Sequence, residues 1–78
     1  MNAIEEYDNI FFRMFEIEPE QLLTLEYQSI ESWDSVGHMS LIVSLEEAFG
    51  VSFEIDDILD FSSYSKGIEI LRRYSVEL

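Results

Sequence analysis

Apolar residues recur at helical spacing through most of this chain. Within residues 3–15, Ile4, Tyr7, Phe11, Met14 and Phe15 fall on one stripe, with Ile10 on its flank. The pattern predicts a helix that ends near Glu16. Pro19 suits the first position of a short turn over 19–23, where its missing N–H costs nothing, and a long loop then runs to Asp34, pinned by Leu22, Leu25 and Ile30. A second long helix is predicted over 35–49, stopped by Gly50, which accommodates the left-handed conformation just past a helix end. Residues 51–55 alternate apolar and polar, but one isolated strand has nothing to pair with, so a loop is predicted there. A short helix over 56–60 and a longer one over 63–74, with Tyr64, Ile68 and Leu71 inward, complete the chain. The expected fold is all-α: a small four-helix bundle of three longer helices and one short one, forming one domain over 1–78.

The second long helix is unusual in being apolar on two faces. At about 100° per residue, His38, Leu41, Ile42, Leu45, Ala48 and Phe49 cluster as a core face. Val36, Met39 and Val43 lie on a second stripe beside Ser40, Glu46 and Glu47. Two readings are open for this stripe. Its residues can pack under the long loop, or they can form an exposed docking strip in which apolar contact supplies affinity and the glutamates supply orientation.

Charge changes the picture. The chain holds 17 acidic residues against 4 basic ones, a formal net charge of −13, which repels phosphate backbones and anionic lipid. No nucleic-acid partner and no stable membrane association are therefore expected. No Lys or Arg occurs between Arg13 and Lys66, whereas Glu46, Glu47, Glu54, Asp56, Asp57 and Asp60 follow one another there. That segment would attract a basic protein surface. A hydrophobic fraction of 47% with 6 Phe, 4 Tyr and 1 Trp is ample for a packed core in 78 residues. The absence of cysteine excludes disulfides and native thiolate chemistry. With no leader-like segment and no long apolar run, a cytoplasmic monomer is expected.

Ser35 stands at the start of the second helix, where backbone N–H groups lack intrahelical partners and the dipole favours negative charge. Either Asp34 or Ser35 can serve there as a helix cap. Alternatively, a phosphate esterified to Ser35 can lie against those N–H groups.

Asp34-Ser35-Val36, followed by a helix ending Leu45-Glu46-Glu47-Ala48-Phe49-Gly50-Val51, resembles the modification-site region of acyl carrier proteins. The resemblance covers nearly the whole chain: the Phe15-Glu16-Ile17 exit of the first helix, the Pro19-Glu20-Gln21-Leu22 turn, the long loop and the serine helix. Two positions depart from the family pattern. Val36 replaces the usual leucine, and Ser32 replaces a common glycine. Trp33-Asp34-Ser35-Val36-Gly37-His38 is similar to a subgroup of stand-alone carriers with a tryptophan before the aspartate.

The resemblance implies a non-catalytic carrier. Ser35 would receive 4′-phosphopantetheine from coenzyme A through a phosphopantetheinyl transferase, and acyl cargo would ride as a thioester on the arm. Asp34, Val36, Met39, Val43, Glu46 and Glu47 would dock that transferase and the acyl-loading, condensing or acyl-transfer enzymes of fatty acid or polyketide biosynthesis. An aminoacyl or peptidyl carrier, and an acidic helical adaptor with unmodified Ser35, are the alternatives.

Other residues invite chemistry. Gly37 costs about 1 kcal/mol relative to alanine in a helix; either a partner approaches the backbone there, or the residue relieves crowding against the loop. His38 with Ser35 and Asp34 is read as a packed or partly exposed histidine and not as a triad, because three residues in one turn cannot set an imidazole between a serine and a carboxylate. Trp33 is expected to cover the helix entrance against the first turn, with shielding of a serine ester as the lesser reading. Glu54, Asp56, Asp57 and Asp60 lack the alternating ligands and central glycine of a calcium loop. They are read as a solvated face, with Ile58, Leu59 and Phe61 turned inward or toward partners, and no metal is expected.

Overall fold

The computed structural model of the chain describes residues 2–78 and is built of helices: α1 (Ala3–Phe15), a 3-10 helix (Pro19–Thr24), α2 (Ser35–Phe49), α3 (Ile55–Asp60) and α4 (Tyr64–Arg73). Among the described residues there is no strand, only an isolated bridge between Glu26 and Ser63. No helix among them is long and apolar enough to cross a membrane.

α1, α2 and α4 begin at a side-chain cap and the 3-10 helix at a proline, whereas α3 starts from Glu54 with no side-chain cap. Asn2 Oδ1 accepts from the Glu5 N–H at 3.0 Å, Asp34 Oδ1 from Gly37 at 2.8 Å, and Ser63 Oγ from Lys66 at 2.9 Å. At the 3-10 helix, Pro19 follows Glu18, whose N–H donates to Gln21 Oε1 at 2.8 Å. α1 ends with Glu16 and α2 with Gly50, both left-handed. The first and second long helices lie over the residues that periodicity predicts.

The remaining bounds shift slightly. The turn at Pro19 runs on to Thr24 and not to 23, and α3 opens at Ile55 and not Asp56, because Asp57 and Ile58 N–H both reach the Glu54 carbonyl. α4 begins at Tyr64, with Ser63 as its cap and Tyr74 beyond its end.

α1 packs on α2, and both α1 and α4 meet the 3-10 helix. The core joins Tyr7, Ile10, Phe11 and Phe15 of α1 to Leu41, Ile42 and Leu45 of α2 and to Tyr64, Ile70 and Leu71 of α4. Fully burying an apolar side chain contributes about 1.5–3 kcal/mol, so this cluster dominates stability. Ile10, assigned to the flank of the first stripe, is buried, whereas Ile4 and Met14 are half-buried. Ile68, expected inward, is also half-buried; Gly67 and Ile70 take the inner positions. Gly67 lets α4 come close: a Cβ there would sit 2.2 Å from Phe61 Cζ and 2.2 Å from Tyr7 Oη.

The loop before α2 is held at two levels. Leu22 and Leu25 are buried and Ile30 is half-buried, as the pattern predicts. The backbone adds to this, since Tyr27 N–H donates to the Ser62 carbonyl at 2.9 Å and Tyr64 N–H to the Leu25 carbonyl at 3.0 Å. Gln28, with φ of 65°, turns the chain so that its N–H meets the Trp33 carbonyl at 2.9 Å.

Candidate functional site

The site lies where this loop enters α2. Asp34 is the cap: its carboxylate takes the Gly37 N–H, and its carbonyl accepts from His38 N–H at 2.7 Å. Ser35 is therefore released from capping. It is exposed, and its Oγ lies 3.2 Å from the Tyr27 hydroxyl.

Below Ser35, Trp33 belongs to the core. It is 0% exposed, deeper than a cover over the helix entrance. Its ring lies near-parallel to Phe15, with centroids 5.2 Å apart, and to His38 at 6.2 Å, and it meets Phe11 edge-on at 5.7 Å. Packing against the first turn of α2 is as expected, through His38. The indole N–H donates to His38 Nδ1 at 3.0 Å. An indole nitrogen can only donate, so Nδ1 accepts and the imidazole proton sits on Nε2, which donates to the Ile58 carbonyl at 2.8 Å. Both ring nitrogens are thus engaged away from Ser35 and Asp34, and His38 is the half-buried, packed residue that was expected.

Gly37 has a steric reason to be glycine. A Cβ built there would stand 2.0 Å from the Ser32 carbonyl oxygen, a main-chain atom that cannot swing aside. Crowding against the loop accounts for the residue, and no approaching partner is needed to explain it.

Along α2 beyond Ser35, Val36 is 76% exposed, Met39 49% and Val43 48%. They do not pack under the long loop. With Ser35, Ser40 and Ser44 they line a shallow apolar groove that begins at Ser35. The two glutamates differ from one another. Glu47 is exposed, but Glu46 is half-buried and its Oε2 accepts from the Phe53 N–H at 2.8 Å. Glu46 therefore anchors the chain after Gly50, and its carboxylate is not free beside the strip. Of the core face assigned to α2, Leu41, Ile42 and Leu45 are buried while Ala48 and Phe49 are half-buried.

Two of the four acidic residues after α2 pair with α4, while Glu54 and Asp56 are exposed. Asp57 pairs with Arg73 at 3.0 Å and accepts from the Tyr74 hydroxyl; Asp60 lies 3.4 Å from Lys66. Phe61 is buried and Ile58 half-buried, but Leu59 is 77% exposed.

Tyr27 is the site residue that the pattern does not reveal. It stands in a loop without periodicity, eight positions from Ser35, and the turn at Gln28 together with the loop's backbone bonds to Ser62 and Trp33 brings its phenol to the serine. Comparison of the chain with known protein families, with curated proteins and with solved structures gives no match.

Proposed function

We propose that this protein is an acyl carrier, whose Ser35 bears a 4′-phosphopantetheine arm. The observation that carries the reading is the division of labour at the start of α2. Asp34 caps the helix, and Ser35 Oγ is left exposed at the head of an apolar groove. The resemblance of Trp33-Asp34-Ser35-Val36 and the helix beyond it to the acyl carrier family supplies the identity of the modification.

The surroundings of Ser35 fit such an arm. Its hydroxyl is accessible, the neighbouring Asp34 carboxylate is occupied by Gly37 N–H, and the groove offers apolar contact from Val36, Met39 and Val43. In the modification, Ser35 Oγ forms a bond to the phosphorus that carries pantetheine in coenzyme A. The bond from that phosphorus to the bridging pyrophosphate oxygen breaks, and adenosine 3′,5′-bisphosphate leaves. The side chain touching Ser35 is a phenol and not a base, so the serine proton passes to a base of the transferase. The arm, once bound, supplies a thiol that holds acyl cargo as a thioester. The protein's own part is to present that thiol from a rigid helix start and to dock successive enzymes on Val36, Met39, Val43 and Glu47. Those contacts are weak and sensitive to salt, since each enzyme must let go.

The test is intact mass before and after incubation with coenzyme A, magnesium and a broad-specificity phosphopantetheinyl transferase, beside a Ser35→Ala control. A gain of one phosphopantetheine in the wild type alone is expected. A folded, unmodified wild type that gains nothing rejects the carrier and leaves an acidic helical adaptor.

A further inference from the structure

We infer that Tyr27 is a positioning residue for Ser35, an inference that rests on the carrier reading above. Its phenol orients the Ser35 hydroxyl before modification and donates a hydrogen bond to the phosphodiester afterwards.

Three constraints bring the phenol to Ser35. Tyr27 N–H is tied to the Ser62 carbonyl, the Gln28 N–H to the Trp33 carbonyl, and Gln28 itself is left-handed. The ring is then bounded by His38, edge-on at 5.3 Å, and by Trp33 at 6.4 Å. A donor held this way loses little freedom when a ligand arrives, so more of its bond remains as net binding.

Hydroxyl pairs bond best at about 2.7–2.8 Å, so the 3.2 Å contact with Ser35 Oγ contributes little to the fold. Its consequence is directional. An ester at Oγ puts anionic phosphoryl oxygens within reach of the same phenol, and hydrogen bonds to ionised acceptors are shorter and roughly twice as strong as neutral ones. The contact therefore gains strength on modification.

The charge distribution makes this neutral donor matter. Lys66 pairs with Asp60, Arg73 with Asp57, and Arg72 with the Leu78 carbonyl. Arg13 lies beside Ser44, Glu47 and Ala48, at the far end of α2. These Lys and Arg contacts are all with groups other than Ser35, both nitrogens of His38 are engaged with Trp33 and Ile58, and the side chain in contact with Ser35 is Tyr27.

The experiment compares wild type with Tyr27→Phe, which removes one oxygen and keeps the ring. Each is incubated with coenzyme A, magnesium and a broad-specificity transferase, and the products are compared by 31P NMR. The Phe variant is expected to fold, to keep the KM of the transferase for the carrier, to lose roughly two- to tenfold in kcat, and to show a displaced phosphodiester resonance. A folded variant with unchanged kcat and an unchanged 31P resonance, alongside a wild type that gains the arm, overturns the role of Tyr27 and leaves the carrier intact. The Tyr27 ring carbons of the unmutated protein give a second readout. They should shift on modification, and identical ring resonances in the two forms also reject the inference. A wild type that gains no arm removes the carrier reading and this one with it.

Discussion

The Trp33 indole N–H donates to His38 Nδ1 at 3.0 Å, and the other imidazole nitrogen donates to the Ile58 carbonyl at 2.8 Å. One half-buried ring thus ties the core tryptophan to α2 and α2 to α3. Replacing His38 by Phe preserves an aromatic ring beside Trp33 and removes only the acceptor and donor. A buried donor left without a partner costs about 1–3 kcal/mol, and about 1 kcal/mol lowers Tm by about 4–8 °C in a domain of this size. Urea unfolding followed by Trp33 fluorescence should show that loss. A His38→Phe protein as stable as wild type would mean the bond contributes nothing net.

Gly37 and Gly67 are predicted to resist alanine for different reasons. At Gly37 the added methyl meets the Ser32 carbonyl, and at Gly67 it meets the ring of Phe61 and the hydroxyl of Tyr7. Alanine improves helix propensity by about 1 kcal/mol, yet overpacking costs about 1–3 kcal/mol. Both variants should therefore unfold at lower denaturant concentration than wild type. The Gly37→Ala variant tests the loop most directly, because its neighbour is main chain. A stability gain there would show that the loop backs away at little cost.

Alkaline pH should unfold the protein through its tyrosines. Burial pushes the Tyr7 hydroxyl well above the ordinary phenol range, with help from Tyr64 and Asp8. Burial also raises Tyr64, which donates to Asp8 Oδ1 at 2.6 Å, and the hydrogen bond to Asp57 raises Tyr74. A phenol raised in the folded state holds its proton more tightly there than in the unfolded chain. Its stabilisation is fully present below the unfolded value of about 10 and is lost as pH rises above it. Urea midpoints should be level up to about pH 9 and then fall, and Tyr7→Phe, which removes the buried donor to the Tyr64 carbonyl, should flatten the decline. A decline of equal slope in Tyr7→Phe would assign the effect to other groups.

Charge reversal separates the two glutamates of α2. Glu46 holds the Phe53 N–H, so Glu46→Lys should cost about 1–3 kcal/mol whatever it does to partners. Glu47 is exposed, and Glu47→Lys should stay within about 0.5 kcal/mol of wild type. On the carrier reading, Glu47→Lys slows attachment of the arm at low salt while the unfolding curve is unchanged. An equal rate at low salt removes Glu47 from the docking strip.

Periodicity and end signals are local properties, and they carried α1 and α2 to the residue. Stripes at helical spacing set which residues turn inward, Asp34 accepts from the first turn of α2, and Gly50 supplies its left-handed exit, whereas the Asn2 cap of α1 is seen only in the structure. The second apolar stripe was legible for the same reason, and so was the candidate serine at the helix start.

What periodicity leaves open is any relation that depends on where distant segments meet. Val36, Met39 and Val43 could have been covered or bare, and only the path of the loop decides that they are bare. Glu46 and Glu47 are adjacent in sequence, yet the return of the chain through Phe53 takes one carboxylate inward and leaves its neighbour in water. Trp33 and Tyr27 lie in a loop with no repeating pattern, so neither the burial of one nor the reach of the other to Ser35 has a local signature. Both follow from the left-handed turn at Gln28 and the backbone bonds to Ser62 and Trp33, geometry that exists only once the loop is closed against the start of α4.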